Sequence, residues 1–500
     1  MKRKLQIVSL FLALLMAGNI LTACSSDTEV KTEGTETAVQ TEAETIDENL
    51  RINAKDTLPE DLNLNGETIG WICHTEKTYQ ISVNGADEIT GDVVMDAVFN
   101  RTAAVEERLN ITFDLYCEDI SWQDYGTKIE NTVLAGDTLW DMVYTKGNSS
   151  IQMGRDHLYL PLQDMQYLNL DQPWWWKEAN DEMSLDGKTK RYLLGDLILD
   201  NLHSGIRVVY FNKDIMTDIG EDVDAFYQTI LDGNWTMEEM MRLTEKAYVD
   251  IDGNGEMNLG DRFGCYIGEK YMVYGMSCAH EVQRQSRDEN NYAYADFDLD
   301  RAQVSLDSIL KFVYNTPGTW FVNNNDANRI DETCFVSGNA LFAYNLLSFS
   351  FEENTRNMES PYGIIPSPKL DEQQEWYKTL VTNAGTFVTV PITCTKTNIG
   401  AVLEALASES YRSMVEPYFE IALKTKYSSD SYTSQCLDII RDTTYKSILT
   451  EYDANNSGYM EYNLIMANSN TIASEFRRIT SASNNNMKKI YAAFESSMEQ

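Results

Sequence analysis

Short apolar runs and amphipathic segments alternate in the first part of the sequence, and this alternation constrains the fold more than any other feature. The runs 67–72, 111–116 and 140–144 have the length and pattern of strands. The segments 91–110 and 125–135 between them carry apolar residues at helical spacing. Strand, helix, strand, helix, strand predicts a parallel sheet covered by helices.

A second α/β region is predicted from residue 207 onward. A helix is expected at 235–248, with Thr236 as its N-cap and Glu239 at the capping-box position. Another helix is expected at 300–315, and the chain is mostly helical from residue 401. Strands are expected at 207–211, 340–344, 362–365 and 385–390. No linker rich in glycine and proline separates the two regions, so several short crossings are expected to join them.

Residues 1–23 have the organisation of an export signal. Lys2, Arg3 and Lys4 form a positive segment, and the apolar run 5–16 that follows is too short to span a bilayer. The next residues, Leu-Thr-Ala-Cys ending at Cys24, resemble the bacterial lipobox, in which the cysteine is acylated and becomes the first mature residue. The alternative is an ordinary secretory signal with an accidental cysteine.

Residues 24–60 are predicted to form a lipid anchor and a disordered acidic tether. The stretch 25–50 is rich in Thr, Glu and Ser and has no aromatic residue. Such a segment cannot bury enough apolar area to offset the entropy of ordering it. The sequence therefore predicts a folded body held at the outer face of the bacterial cell membrane by its lipid alone.

Charge and cysteine content exclude several classes of protein. The formal charge is −38, and it becomes −41 when Lys2, Arg3 and Lys4 leave with the signal, so nucleic acid is not an expected partner. Apart from Cys24, seven cysteines remain, an odd number at irregular spacing, and they are interpreted as scattered core residues rather than a disulfide framework. They are Cys73, Cys117, Cys265, Cys278, Cys334, Cys394 and Cys436.

Four stretches of the body resemble the family 1 extracellular solute-binding proteins, the lipoproteins that deliver sugars to ABC importers. The first is the predicted helix at 91–110, and the second is VVYFNKD at 208–214 followed by Gly-Asn-Trp-Thr at 233–236. The third is FVSGNALF at 335–342, and the fourth is 356–369, which ends in YGIIPSPK. The resemblance extends from about residue 60 to about residue 450.

The resemblance implies a two-lobed α/β fold of the periplasmic-binding-protein type (type II), each lobe a mixed sheet flanked by helices. Lobe 1 is assigned to 61–170 and 366–420, and lobe 2 to 171–365 and 421–500. A ligand is held in the cleft between the lobes, and the ABC permease recognises the form in which the lobes have closed. The resemblance also implies that the protein is not an enzyme.

Aromatic residues are the candidates for carbohydrate binding, because sugars present apolar C–H faces between their hydroxyls. Trp174, Trp175 and Trp176 are consecutive, and at least one is expected to be exposed or in the cleft; the alternative is that all three cover a seam between lobes. Trp320 is a further candidate, and by analogy with the family Tyr344 and Asn345 are placed near the interlobe opening. Core positions are expected instead for Trp71, Trp140 and Trp235.

Residues 250–261 fit an EF-hand-like calcium loop. The expected ligands are Asp250, Asp252, Asn254, Glu256 through its backbone carbonyl, Asn258 through a water, and Asp261 at the twelfth position. Gly255 occupies the sixth position, where the loop turns. An aspartate replaces the usual closing glutamate, so a structural Ca²⁺ is expected with altered geometry; the alternative is a solvated acidic turn.

No enzyme motif stands out. The chain has no Walker loop and no HExxH, and 275–279 lacks the last glycine of a nucleophile elbow. The sequence therefore predicts a substrate-binding lipoprotein of an ABC importer that captures a carbohydrate, with an oligosaccharide preferred. The alternatives are a secreted glycan-active enzyme, and a surface receptor or adhesin that reuses the binding fold. Within the binding class, a uronate oligomer or a peptide stays open as the cargo.

Overall fold

The structure is a computed structural model, and it describes residues 51–75, 83, 88–258, 260–267, 271–321, 334–381, 385–423 and 431–498. The predicted export signal and Cys24, the predicted acylation site, lie outside the described residues. None of the helices in the described part of the chain combines the length and apolar character that a membrane span requires.

The strands of the described residues are, in chain order, β1 (Glu67–His74), β2 (Ile111–Glu118), β3 (Met142–Lys146), β4 (Arg207–Asn212), β5 (Phe263–Ile267), β6 (Gln285–Arg287), β7 (Ala293–Ala295), β8 (Thr319–Phe321), β9 (Ala340–Leu346), β10 (Tyr362–Ile365), β11 (Thr379–Leu380), β12 (Thr386–Thr389) and β13 (Thr444–Tyr445). Every strand predicted from the sequence is present, with ends shifted by a few residues.

The α-helices are α1 (Val93–Leu109), α2 (Trp122–Leu134), α3 (Gly147–Arg155), α4 (Lys177–Glu182), α5 (Lys213–Asp218), α6 (Val223–Leu231), α7 (Met237–Ala247), α8 (Met272–Ala279), α9 (Leu299–Asn315), α10 (Glu353–Arg356), α11 (Ile399–Ser413), α12 (Val415–Leu423), α13 (Ser431–Asp442), α14 (Ile448–Tyr452), α15 (Met460–Met466) and α16 (Ile472–Met498). Short 3₁₀ turns (Arg51–Asn53, Leu347–Phe351) and π turns (Asn201–Gly205, Ala454–Gly458) complete the described elements.

The first sheet has the strand order β12-β3-β1-β2. Strands β1, β2 and β3 are parallel, and β12 runs antiparallel to β3. Successive side chains of β1 face opposite sides: Trp71 packs among residues of α1 and α11, whereas Ile72 packs among residues of α2. The sheet is therefore covered by helices on both faces, as the alternation in the sequence predicts.

The second sheet has the order β10-β4-β9-β5-β8 and is also mixed. Strand β5 pairs in parallel with β8 and β9, whereas β4 is antiparallel to both of its neighbours. The predicted helices at 235–248 and 300–315 appear as α7 and α9. Thr236 caps α7 by accepting the backbone N–H of Glu239, while the Glu239 carboxylate binds Arg242 instead of closing a capping box.

The predicted tether ends earlier than residue 60. Arg51 forms an ion pair with Asp438 at 2.5 Å, and Leu58 is buried. The Asp56 carboxylate lies between Arg108 and Arg412, with its nearer contact to Arg108 at 2.6 Å. Residues 51–60 therefore belong to the folded body, because buried and charge-paired side chains hold them there.

The chain crosses between the sheets at places other than the predicted lobe boundaries. Leu193 and Val388 exchange backbone hydrogen bonds of 3.0 and 3.1 Å, which joins the segment after residue 171 to the first sheet. Lys369 exchanges backbone hydrogen bonds with Trp235 and Met237, which joins the segment after residue 366 to the second sheet. The sequence-based boundaries had placed the segment after residue 171 in lobe 2 and the segment after residue 366 in lobe 1. Contacts between such distant parts of the chain leave no local pattern in the sequence.

Candidate ligand-binding site

The three consecutive tryptophans are all buried, with Trp174 at 0%, Trp175 at 3% and Trp176 at 5% exposure. The three rings do not crowd one core, because they are divided between two hydrophobic cores. Trp174 and Trp175 pack in the core of the first sheet, and Trp176 packs in the larger core that includes the second sheet. All three rings are therefore buried, and the contact of at least one of them with a ligand in the cleft stays a prediction.

The indole nitrogens of Trp175 and Trp176 are held by buried carboxylates. Trp175 donates to Glu404 at 2.9 Å, and Trp176 donates to Asp196, which also forms a buried ion pair with Arg441. Both rings contribute to the wall of a pocket of about 740 Å³. The other residues around this pocket include Arg51, Lys177, Tyr411 and Arg441.

The remaining predicted aromatic residues lie in the second sheet, apart from the tryptophan run. Trp320 is half-buried on edge strand β8 and packs edge-on against Phe263. Tyr344 is buried on β9, and its hydroxyl shares a 2.6 Å hydrogen bond with that of Ser367. The side-chain oxygen of the half-buried Asn345 accepts the backbone N–H of Leu346. Trp71, Trp140 and Trp235 are core residues, as predicted.

The carboxyl ends of the parallel strands in the first sheet form a candidate site that the sequence reading did not single out. From β1 the chain passes through α1 to β2 on one side, and then through α2 to β3 on the other side of β1. The chain therefore reverses direction across the sheet between β1 and β3. In open α/β sheets, ligands bind outside the carboxyl ends of the strands at such a switch point.

Three side chains meet at this switch point and are called here the Trp122 platform: His74, Trp122 and Lys146. His74 ends β1 and stacks on Trp122 with ring centroids 4.1 Å apart. The Lys146 ammonium, at the end of β3, lies 4.5 Å from the centroid of the same indole. The Nε2 atom of His74 forms a 2.6 Å hydrogen bond with the carbonyl of Ile120. The platform thus joins a half-buried aromatic face to polar groups.

Local packing holds the platform in place. Ser121 caps α2 by accepting the backbone N–H of Asp124, which places Trp122 in the first turn of the helix. Tyr125, one turn later, is fully buried, contacts both Trp122 and His74 edge-on, and donates to the carbonyl of Tyr144. The ring of Trp122 is therefore supported from the core side by a fully buried, hydrogen-bonded neighbour.

The corresponding edge of the second sheet carries a group of tyrosines. Tyr271 lies just before α8, the helix that follows β5, and is 39% exposed. Its ring stacks on Tyr462 with centroids 5.2 Å apart, and Tyr274 and Tyr459 pack beside this pair. Both sheets therefore present an aromatic surface where parallel strands end.

A buried polar network lies where the chain leaves the first sheet for β4. The Thr386 hydroxyl donates to Asp200 at 2.8 Å, and the Tyr144 hydroxyl donates to the same carboxylate. Asn201 donates to the Thr386 carbonyl at 2.9 Å and accepts its N–H at 2.7 Å. The network connects β3 and β12 to the π turn that leads into β4.

A second cavity, of about 340 Å³, lies between α4 and α8. Its lining is mixed and includes the charged Glu182, Arg284 and Lys446, together with Tyr274 and Tyr445. Burial raises the pKa of Glu182. Lys446 forms a buried ion pair with Glu451 at 2.7 Å. The charges of Arg284 and Lys446 are therefore already balanced, by Glu461 and Glu451 respectively.

Three of the predicted calcium ligands converge in the loop between α7 and β5. Carboxylate oxygens of Asp250, Asp252 and Asp261 lie within 4.8 Å of one another. Asp261 is fully buried and accepts the backbone N–H groups of Ile251 and Asn258. These hydrogen bonds aim the last carboxylate back into the loop.

The other predicted ligands line the same loop with less favourable orientations. The side-chain amides of Asn254 and Asn258 both donate to Asp252, so their nitrogens rather than their oxygens face the carboxylates. The Glu256 carbonyl accepts a hydrogen bond from Asn258 at 3.1 Å. Gly255 has a φ of 77°, as the sixth position of such a loop requires. The donor set fits a hard cation once the two amides turn.

The whole fold is similar to those of solved solute-binding proteins. The chain matches no known protein-family profile, and no curated protein matches it in sequence. The sugar-binding protein MalE from Xanthomonas citri is 12% identical, with a TM-score of 0.56 over 86% of this chain and 99% of that one.

Two further structures match over a similar length. A sugar transporter from Rhizobium etli in an open conformation is 13% identical, with a TM-score of 0.53 over 84% of this chain and 99% of that one. An ABC substrate-binding protein from Listeria monocytogenes, solved with cycloalternan, is 12% identical, with a TM-score of 0.51 over 85% of this chain and 100% of that one. The chain therefore has the two-lobed fold of ABC-transporter solute-binding proteins, with a mixed, helix-flanked sheet in each lobe.

Proposed function

We propose that this chain is the solute-binding protein of an ABC importer and that it captures a carbohydrate, preferably an oligosaccharide. The fold it shares with sugar-binding proteins over nearly their whole length supports the class of protein. The Trp122 platform supports a carbohydrate as the ligand. An indole beside polar groups at a switch point suits the alternating C–H faces and hydroxyls of a sugar. The protein binds its ligand without chemical conversion.

In this proposal the sugar packs beside the half-buried Trp122 at the switch point, while His74 and Lys146 hydrogen-bond its hydroxyls. The aromatic surface around Tyr271 contacts the sugar from the other lobe. Closure of the lobes then brings the two aromatic surfaces together, and the permease recognises the closed form. The pocket beside Trp175 and Trp176 is the alternative location, because both residues are among the predicted ligand contacts.

The proposed cellular location follows from the N-terminal segment. Acylation of Cys24 anchors the protein to the outer face of the cell membrane, and residues 25–50 tether the folded body within reach of the permease. The folded body begins directly after this segment, where Arg51 is bound to α13 through Asp438.

We also propose that the loop 250–261 binds a structural Ca²⁺. The convergence of Asp250, Asp252 and Asp261 supports this, as does the position of Gly255. Asn254, the Glu256 carbonyl and Asn258 would complete the coordination, Asn258 through a water. The ion would neutralise three close carboxylates and so stabilise the connection between α7 and β5.

Thermal unfolding of the purified protein against a ligand panel tests the proposed function. The panel holds malto-, cello- and xylo-oligosaccharides, oligogalacturonates and short peptides, each followed by chromatography for breakdown. A ligand present at a hundredfold excess over its Kd stabilises the folded state by about 2.7 kcal/mol. We expect a shift with a neutral oligosaccharide that is recovered intact.

Each other outcome of this experiment points elsewhere. A shift only with oligogalacturonates or peptides would retain the importer and overturn the neutral sugar. Cleavage of a glycan would favour the secreted glycan-active enzyme. Binding only to long insoluble polysaccharide, with no oligosaccharide bound, would favour a surface receptor or adhesin.

A further inference from the structure

Two cysteines face each other across the edge of the first sheet. Strands β1 and β2 pair in parallel with Cys73 opposite Cys117. The two Sγ atoms are 3.1 Å apart, closer than unbonded sulfur atoms that merely pack together. Neighbouring strands lie about 4.8 Å apart, which falls within the Cα separation that a disulfide spans. The backbone therefore places both thiols where a bond between them needs little movement.

The two thiols differ in access to solvent. Cys73 is 2% exposed and packs in the core of the first sheet, whereas Cys117 is exposed on the edge strand β2. The contact with Cys117 and burial raise the pKa of the Cys73 thiol. A reagent in solution therefore reaches Cys117 first, and Cys73 is positioned behind it to react second.

We propose that Cys73 and Cys117 are a modification site that forms a reversible disulfide between β1 and β2. The oxidant is a disulfide R–S–S–R. The Cys117 thiolate attacks one sulfur and expels RS⁻, forming a mixed disulfide. The Cys73 thiolate then attacks the Sγ atom of Cys117 and expels the second RS⁻. The two protons lost by the cysteines protonate the two RS⁻, so R–S–S–R is reduced to two RSH as the cysteines are oxidised.

The bond has a local structural consequence. Cys73 precedes His74, which is part of the Trp122 platform, and Cys117 precedes the end of β2. A disulfide would tie the ends of both strands together and close the chain segment between them. The oxidised protein should therefore unfold at a higher temperature than the reduced protein.

The test is to treat the purified protein with oxidised glutathione and to count thiols with and without later reduction. We expect two thiols to be lost, an intact mass lower by about 2 Da, and a peptide that joins Cys73 to Cys117. Addition of a dithiol reductant should restore both thiols. The unfolding temperature should rise on oxidation and fall on reduction.

Three variants make the result specific. Cys117→Ser should show no cross-link, and Cys73→Ser should accumulate glutathione on Cys117 instead of the cross-link. Cys394→Ser, at a half-buried cysteine outside this pair, should cross-link as the wild type does. Peptide mapping of the oxidised wild-type protein uses no variant, so it tests the proposal even if one of the variants does not fold. Retention of all thiols, persistent glutathionylation of wild-type Cys117, or a cross-link between other cysteines would overturn the proposal.

Discussion

Asp56 illustrates, at the scale of single residues, how a carboxylate from the predicted tether becomes part of the folded body. Its side chain is 1% exposed and accepts two hydrogen bonds from Arg108, at 2.6 and 2.7 Å, and one from Ser408. Burial raises the pKa of Asp56, but the hydrogen bonds and charge of Arg108 outweigh this and lower it to about 2. The ionised form is therefore the one that stabilises the fold.

The first prediction concerns the pH dependence of this stabilisation. Because the folded pKa lies below that of the unfolded chain, the contribution is complete above pH ~4 and disappears as the pH falls towards 2. Asp56→Asn should lower the free energy of unfolding at pH 7 by about 2 kcal/mol, measured with urea. The difference from the wild type should shrink below pH ~4. Equal stabilities at pH 7 would contradict this account.

The residue scale is also where prediction from the sequence was weakest. The buried positions of Trp71, Trp140 and Trp235 followed from their place in strands and helix starts. The run at 174–176 was expected to have at least one ring exposed or in the cleft because three indoles would crowd one core, yet the structure divides the three buried rings between two cores. Trp122 follows β2 directly and could have been singled out from the rule that ligands bind where parallel strands end.

At the scale of elements, Asn201 connects strand β12 to the π turn that leads into the second sheet. Its side chain satisfies both the N–H and the carbonyl of Thr386, and all the atoms involved are buried. A buried backbone group that loses its partner costs about 1–3 kcal/mol. The asparagine therefore acts as a clamp: it holds β12 to the chain segment that connects the two sheets.

The second prediction follows from this clamp. Asn201→Ala should lower the free energy of unfolding by about 2–4 kcal/mol, because two buried backbone groups lose their partner. In this variant amide hydrogen exchange in β12 should become faster than in the wild type. Exchange in β4 should not change, because β4 keeps its pairing. Asn131→Ala, an exposed change on α2, is the control and should cost less. Equal losses in the two variants would contradict the clamp.

The third prediction concerns the loop between α7 and β5. About 10 mM Ca²⁺ should stabilise the protein by about 1–3 kcal/mol if the loop has the affinity of other extracellular sites. Asp261→Asn should remove this gain, because it takes away the buried carboxylate that closes the loop. Asp224→Asn, an exposed change on α6, should preserve it. Equal stabilisation of all three proteins would show that the ion does not bind this loop.

Secondary structure was well predicted because apolar periodicity reports directly on which face of an element is buried. The alternation at 67–144 became β1 to β3 with α1 and α2. Several crossings were expected, but their positions were not predicted, because pairs such as Leu193 with Val388 join residues far apart in the chain. Hydrogen bonds of that kind depend on the assembled fold and have no local pattern.

At the scale of the whole molecule, two mixed sheets from interleaved segments and several crossings suit a protein that closes on a ligand. Each sheet presents aromatic residues where its parallel strands end. Hinge closure would bring such surfaces together and exclude water from a bound sugar. The α/β class was predictable from the order of the elements, and the two-lobed fold followed from the resemblance to solute-binding proteins, whereas the identity of the sugar depends on side-chain positions within the closed form.

The fourth prediction is a change of shape on binding. A saturating oligosaccharide should lower the radius of gyration measured by small-angle X-ray scattering, because the lobes close around the ligand. A shorter sugar that contacts a single lobe should leave the radius unchanged, and it serves as the control. An unchanged radius with a tightly bound oligosaccharide would mean that binding is not coupled to closure.

Calorimetric titration of an oligosaccharide into the wild type, Trp122→Ala and Trp376→Ala tests the central claim most directly. Trp376 is 39% exposed and packs on Tyr377, away from the Trp122 platform, so its replacement controls for the general loss of an indole. We predict that the wild type and Trp376→Ala bind with equal affinity, and that Trp122→Ala binds roughly 30-fold more weakly, a loss of about 2 kcal/mol. Wild-type affinity in Trp122→Ala, or no binding of any oligosaccharide by the wild type, would contradict the account.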